Sequence, residues 1–214
     1  MLPGADLVFL AVPALVWCVW RSWSRVSRTQ LLVRCVLVVY LFGVVGVTMF
    51  PLPVVPSEIS IRRDWVRTTP GYPSLHYNLV PGASIGNAIS DALQSHRDVG
   101  GSLASSLWLL LAPFLGNVAM LLPLGFLLPL LSARWRRWWR TAALVAATTV
   151  TIEVAQLLGS LAYGFPYKTF DVDDIWLNFL GGVIGYGLYK LLALVLRDRV
   201  KAESSGSPGG TAAA

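Results

Sequence analysis

Residues 141–162, TAALVAATTVTIEVAQLLGSLA, and residues 173–196, DDIWLNFLGGVIGYGLYKLLALVL, are two long apolar stretches joined by a short loop. A helix rising about 1.5 Å per residue crosses the hydrocarbon core of a bilayer in about 20 residues, so each stretch is long enough to span. Both carry polar residues at helical spacing. Thr149, Glu153, Gln156 and Ser160 fall on one stripe of the first helix, and Asp171, Asp174, Asn178, Gly182 and Gly185 on one face of the second. Consecutive spans run antiparallel, which lets the two stripes face each other.

Three further stretches meet the same length requirement: Leu2 to Trp20, Leu31 to Phe50 and Leu103 to Leu131. The predicted fold is therefore all-α, a polytopic transmembrane bundle of about five spanning helices. Residues 1–30 form the first span and a basic turn, and residues 31–201 the main transmembrane domain with an outer segment over 51–102. Residues 202–214, rich in Gly and Ser, form a disordered tail. Composition agrees: 55% of the 214 residues are hydrophobic, 13% are charged and the mean hydropathy is +0.63. A soluble domain carries about 25% charged residues, so disordered, collagen-like and ordinary cytosolic-enzyme classes are excluded. Cys18 and Cys35 lie in apolar runs and form neither a disulfide framework nor a CxxC pair. The first apolar run precedes its arginines and has no small-residue cleavage pattern, so it reads as a retained helix.

The net charge of +6 is an orientation signal. Basic turns at Arg21, Arg25 and Arg28 and at Arg134 to Arg140, with Arg197, Arg199 and Lys201, fit a cytoplasmic location. Arg62, Arg63, Arg67, Arg97 and Lys168 then remain outside, which sets the N-terminus outside and the C-terminus in the cytoplasm. Trp20, Trp23, Trp135, Trp138 and Trp139 in the basic turns suit a headgroup-level aromatic belt, and no nucleic-acid partner is expected. The outer segment is rich in proline up to Pro81 and more helical over Ala83 to Leu93. Its histidines, His76 and His96, read as solvent-facing loop residues.

An ionisable residue inside a span costs at least about 2.5 kcal/mol at the helix centre and asks for a partner or a purpose. Glu153 is the one that sits deep. By helix rise Glu153 lies about 14 Å, Gln156 about 9 Å and Asn178 about 8 Å below the outer end of their spans, with Asn117 within about 21 Å. These residues can converge on a polar pocket open to the exterior, with Lys168, Asp171, Asp173 and Asp174 at its mouth. Amides in such a set also serve as plain interhelical hydrogen-bond glue, and Asp173 and Asp174 suit a helix N-terminus. In a catalytic version Glu153 is the general base, assisted by Asp174, while Asp171, Asp174 and Asn178 offer oxygen ligands to a divalent cation such as Mg. Gly181, Gly182 and Gly185 include a GxxxG spacing that permits close helix packing.

Four ordered blocks carry a resemblance. Tyr-Leu-Phe-Gly-Val-Val-Gly-Val-Thr-Met-Phe-Pro (40–51), Tyr-Asn-Leu-Val-Pro (77–81) and Gly-Asn-Val-Ala-Met-Leu-Leu-Pro-Leu-Gly-Phe-Leu-Leu-Pro (116–129) are followed by Ile-Glu-Val-Ala-Gln (152–156) with Phe-Asp-Val-Asp-Asp-Ile-Trp-Leu-Asn-Phe-Leu-Gly-Gly (170–182). Together they resemble the VanZ-like family of bacterial membrane proteins. Lys168 stands where that family commonly has Arg, and Gly82 where it usually has Phe. The resemblance implies a multi-pass protein of the bacterial cytoplasmic membrane, some of whose relatives are linked to resistance against teicoplanin-type glycopeptides. It adds Asn78 to a binding set of Asn117, Gln156, Lys168, Asp171 and Asn178. The expected partners are the lipid bilayer and a lipid-linked envelope precursor or lipoglycopeptide-related molecule, bound or slowly transformed. Two other classes compete: a proton-coupled transporter or flippase component, and a non-catalytic assembly partner of envelope enzymes that docks through its glycine face. Whether a bond is broken and how many copies assemble stay open from sequence.

Overall fold

The computed structural model describes residues 7–23, 26–73, 75–99 and 102–205. It is 82% helical. In chain order the elements are α1 (Leu7–Ser22), α2 (Arg28–Met49), α3 (Pro56–Thr68), β1 (Tyr77–Asn78), α4 (Ala83–Val99), α5 (Leu103–Leu131), a 3-10 turn (Ala133–Arg136), α6 (Trp138–Tyr163), β2 (Phe170–Asp171) and α7 (Val172–Ser205). Four helices, in α2, α5, α6 and α7, are long and apolar enough to cross a membrane. The expected fifth is α1, whose 16 described residues rise only about 24 Å. The start of that span and the tail from residue 206 lie outside the described residues, and α7 runs on to Ser205 where a tail was expected from 202.

Long apolar side chains point outward along the spans, among them Val47, Leu158, Leu161, Leu191 and Leu194. That surface is what a bilayer covers, and the chain is a multi-pass membrane protein. The apolar interior is small: Val44 from α2, Leu121, Leu124 and Leu128 from α5, and Val145 and Ile152 from α6. Tyr40 of α2 ties into it by donating its hydroxyl to the Met120 carbonyl at 2.6 Å. Three prolines, Pro113, Pro123 and Pro129, lie within α5, which remains one helix from Leu103 to Leu131.

The closest pairing is α5 with α7. Both lead away from the same end of the bundle, so they run parallel, and glycine sets how near they come. A Cβ on Gly181 would meet the Val118 carbonyl, one on Gly185 the Leu122 carbonyl, and one on Gly125 the Gly182 carbonyl. On the other side, a Cβ on Gly182 would run into the Val145 side chain of α6. Backbone thus lies against backbone, a contact that only Gly allows. The glycine face is filled from within the chain, which removes the surface on which assembly through that face depended.

The outer segment is more ordered than its prolines suggested. Pro56 opens α3 at the first turn, where its missing N–H costs nothing. The helical stretch expected over Ala83 to Leu93 continues to Val99, so His96 sits on α4 with Nδ1 buried, not in a solvent-facing loop. His76, half-buried, packs its ring against Tyr72. Between α3 and α4, β1 pairs in parallel with β2, Tyr77 opposite Phe170 and Asn78 opposite Asp171. This short ladder lays the outer segment across the start of α7.

Gly181→Ala or Gly185→Ala should cost about 1 to 3 kcal/mol, because a backbone carbonyl cannot move aside as a side chain can. Gly187, with open space around it, is the control. Thermal melting of the purified protein should show a clear fall for the first two and none for Gly187→Ala; equal melting points would refute the seam.

Candidate functional site

Asp171 ends β2 and precedes α7, and its position as the helix N-cap explains its first bond: the Asp173 N–H donates to Asp171 Oδ1 at 2.8 Å. The same oxygen accepts from Asn78 Nδ2 at 3.0 Å, and Oδ2 accepts from the Ser84 hydroxyl at 2.5 Å. Asn78 Nδ2 also reaches Ser84 Oγ at 2.8 Å. Asp173 turns the other way and caps the start of α4, accepting from the Gly82 N–H at 2.6 Å and the Ser84 N–H at 3.0 Å. Gly82 is in the left-handed region, φ 83°, and its N–H meets the carboxylate where the chain turns into α4. Two carboxylates at the positive end of α7 thus hold the outer segment in place.

Deeper in the bundle, Glu153 of α6 is 1% exposed and accepts from the Asp171 N–H at 3.1 Å through Oε2. Asp174, in the first turn of α7 and half-buried, accepts from Asn117 Nδ2 of α5. Asn178 follows one turn later at 1% exposure, and its Oδ1 has no hydrogen-bond partner among the described residues. Such a buried acceptor is uncommon in folded proteins. Four carboxylates, Glu153, Asp171, Asp173 and Asp174, therefore gather where α5, α6, α7 and the outer segment meet, and their donors are amides, a hydroxyl and backbone N–H groups.

Of the residues that spacing and depth bring towards one pocket, Asn117, Glu153, Asp171, Asp174 and Asn178 share one region. Gln156 and Lys168 are engaged elsewhere. Gln156 donates to the Thr48 carbonyl at 3.0 Å, latching α6 to α2. The Lys168 ammonium reaches the Phe50 carbonyl at 3.4 Å, where a cation suits the C-terminal end of α2, and it lies 5.8 Å from the Tyr167 ring centroid. Ser160, 1% exposed, is a loop staple: its hydroxyl donates to the Lys168 carbonyl and accepts from the N–H groups of Tyr167 and Lys168. Burial and then the Tyr163 phenol push the Tyr167 hydroxyl above the usual tyrosine range.

Burial differs across the cluster: Glu153 and Asn178 are sealed, while Asn117 and Asp174 are half-buried at its edge. Among the described residues no group of three or more His, Cys, Asp or Glu is disposed to hold a metal, and both Asp171 oxygens already accept protein donors. Sequence reasoning missed Ser84, and quoted Thr48 only within the 40–51 block, without its partner. Nothing local marks Ser84, whose partners lie 87 and 89 residues away.

A sequence model of the VanZ/LLP1 family matches residues 37–193, from the middle of α2 through most of α7. The chain belongs to the VanZ/LLP1 family. Comparison with curated proteins and with solved structures gave no match. The part common to the VanZ/LLP1 family includes the outer segment and every residue of the acidic-amide cluster and leaves out α1.

In this VanZ/LLP1 protein, Asp173→Ala should release the start of α4. Loss of an N-cap carboxylate costs about 0.5 to 2 kcal/mol. Hydrogen exchange should quicken at Ser84 and through the first turn of α4 while the centre of α6 stays protected. Unchanged exchange there would show that the cap does not hold the segment.

Proposed function

We propose that the acidic-amide cluster is a recognition site for the polar head of a lipid-linked or amphiphilic cell-envelope molecule, and that the protein thereby contributes to resistance of the teicoplanin glycopeptide type. The protein would act from the bacterial cytoplasmic membrane, N-terminus outside and C-terminus inside, with the cluster towards the outer leaflet. Asp174 and Asn117 form its accessible edge. Behind them, Glu153 fixes the Asp171 backbone, and Asn178 is buried one turn further along α7. A ligand rich in hydroxyl or amide N–H groups complements carboxylate acceptors, whereas an anionic group would meet repulsion.

The observation that carries this reading is the half-buried Asp174–Asn117 pair at the edge of carboxylates gathered inside a spanning bundle. Asp171 and Asp173 are accounted for as caps that hold the outer segment, whereas Glu153 and Asp174 belong to the spanning helices, where a carboxylate is expensive. Binding is favoured over catalysis because Glu153 is sealed and already bonded to the backbone, so a general base acting on substrate would first have to let go of Asp171. Asn78, Asp171, Gln156 and Lys168 then support the site from behind as framework.

The nearly isosteric variants Glu153→Gln and Asp174→Asn should accumulate normally yet lose function. Hydrogen bonds to charged groups contribute about 1.5 to 3 kcal/mol, so envelope-lipid binding should fall at least tenfold, with teicoplanin susceptibility following it. Full activity of both variants at normal abundance would return the cluster to a structural role. Orientation has its own test. In a background lacking Cys18 and Cys35, an impermeant thiol reagent applied to intact cells should label Asp91→Cys and spare Arg136→Cys; the reverse pattern would invert the topology.

A further inference from the structure

The opposite end of the bundle carries a second feature, chemically unlike the first. Where the 3-10 turn (Ala133–Arg136) meets the first turns of α6, a groove of about 410 Å³ is lined by Arg134, Trp135, Trp139 and Arg140 and continues along Ala143, Leu144 and Ala147. We propose that this groove binds an anionic phospholipid, with the two guanidinium groups on its phosphate and an acyl chain along the alanine face.

Several independent observations converge on that occupant. The Arg134 guanidinium lies 5.4 Å from the Trp135 ring centroid and that of Arg140 lies 5.0 Å from the Trp139 ring centroid. Stacking on an indole face restrains each fork while leaving its N–H edges available, which is how arginine presents itself to a phosphate. The site is built rather than draped: the Thr141 hydroxyl, 0% exposed, donates to the Trp135 carbonyl at 2.7 Å and locks the turn against α6. Charge is one-sided. No Asp or Glu occurs between Asp98 and Glu153, the first turn of α6 holds no acidic residue, and its N-cap Arg137 makes no side-chain cap, so the positive end of the helix adds to the same field.

Shape separates a lipid from a free anion. From Arg140 to Ala147 the helix descends about 10 Å, from guanidinium level into the apolar part of the span. Ala143 and Ala147, one turn apart, leave a shallow channel where larger side chains would stand out. A free phosphate would use the upper part of this groove only. Arg136 and Arg137, in the same turn, do not line it.

The full-length protein, purified in detergent, is mixed with phosphatidylglycerol or phosphatidylcholine and its retained lipid counted by native mass spectrometry. Phosphatidylglycerol should be retained in preference. One basic residue at an anionic surface is worth about fivefold in binding, so Arg134→Gln with Arg140→Gln should lower retention at least tenfold. Arg136→Gln with Arg137→Gln, the same loss of charge outside the groove, should lower retention clearly less than the first pair does. Equal losses in both pairs, equal retention of the two lipids, or displacement by millimolar inorganic phosphate would each overturn the proposal. Should the first pair fail to accumulate, Arg140→Gln alone is read against Arg137→Gln, with a fivefold loss expected only for the former and equal retention overturning the proposal.

Discussion

A carboxylate drawn into a membrane bundle has to find donors there, because water is scarce and an unsatisfied charge is far more costly than an unsatisfied amide. Asp171 and Asp173 meet this requirement with the outer segment, through Asn78, the Ser84 hydroxyl and the N–H groups of Gly82 and Ser84. The consequence is architectural. A proline-rich stretch that would otherwise be a loose connector is tied to the start of α7, and β1 gains its partner in β2. Glu153 closes the circuit from α6 by holding the Asp171 N–H.

The second requirement is proximity of α5 to α7. Asn117 reaches Asp174 only if the two helix axes come close, and Gly181 and Gly185 allow this by resting on the Val118 and Leu122 carbonyls. The seam and the polar cluster are therefore one design on the α5–α7 contact. The aromatic and basic end beyond it has the opposite electrostatic character, which gives the molecule an acidic and a basic pole along its spanning helices.

Much of this was legible in sequence, and the reasons differ by element. Apolar length alone located α5 to the residue and gave α2, α6 and α7 within a few residues, apart from the run of α7 to Ser205, because a bilayer imposes a minimum that no surface loop meets. Helical spacing aligned Asp174 with Asn178, since a stripe is a local property, and depth by helix rise brought Glu153 of the neighbouring span to their level. Spacing did not reveal Ser84 or Thr48, whose partners are set by tertiary contact across 87 and 108 residues. Nor does a GxxxG pattern say which helix fills it, and here the answer lies inside the chain. Lys168 was placed at the mouth of the pocket with the acids, yet its ammonium is held by the carbonyl at the α2 terminus. No helix was expected in the proline-rich part of the outer segment, yet α3 forms there with Pro56 at its first turn.

The central claim is that the outer segment docks on the start of α7, and the parallel pairing of Tyr77 with Phe170 reports it without touching a carboxylate or its donors. In a protein lacking Cys18 and Cys35, Tyr77→Cys combined with Phe170→Cys should form a disulfide in membranes under mild oxidation. The control pair, Leu93→Cys with Phe170→Cys, should not. Crosslinking of the 77–170 pair no greater than that of the control would contradict the docked arrangement and, with it, the site built upon it.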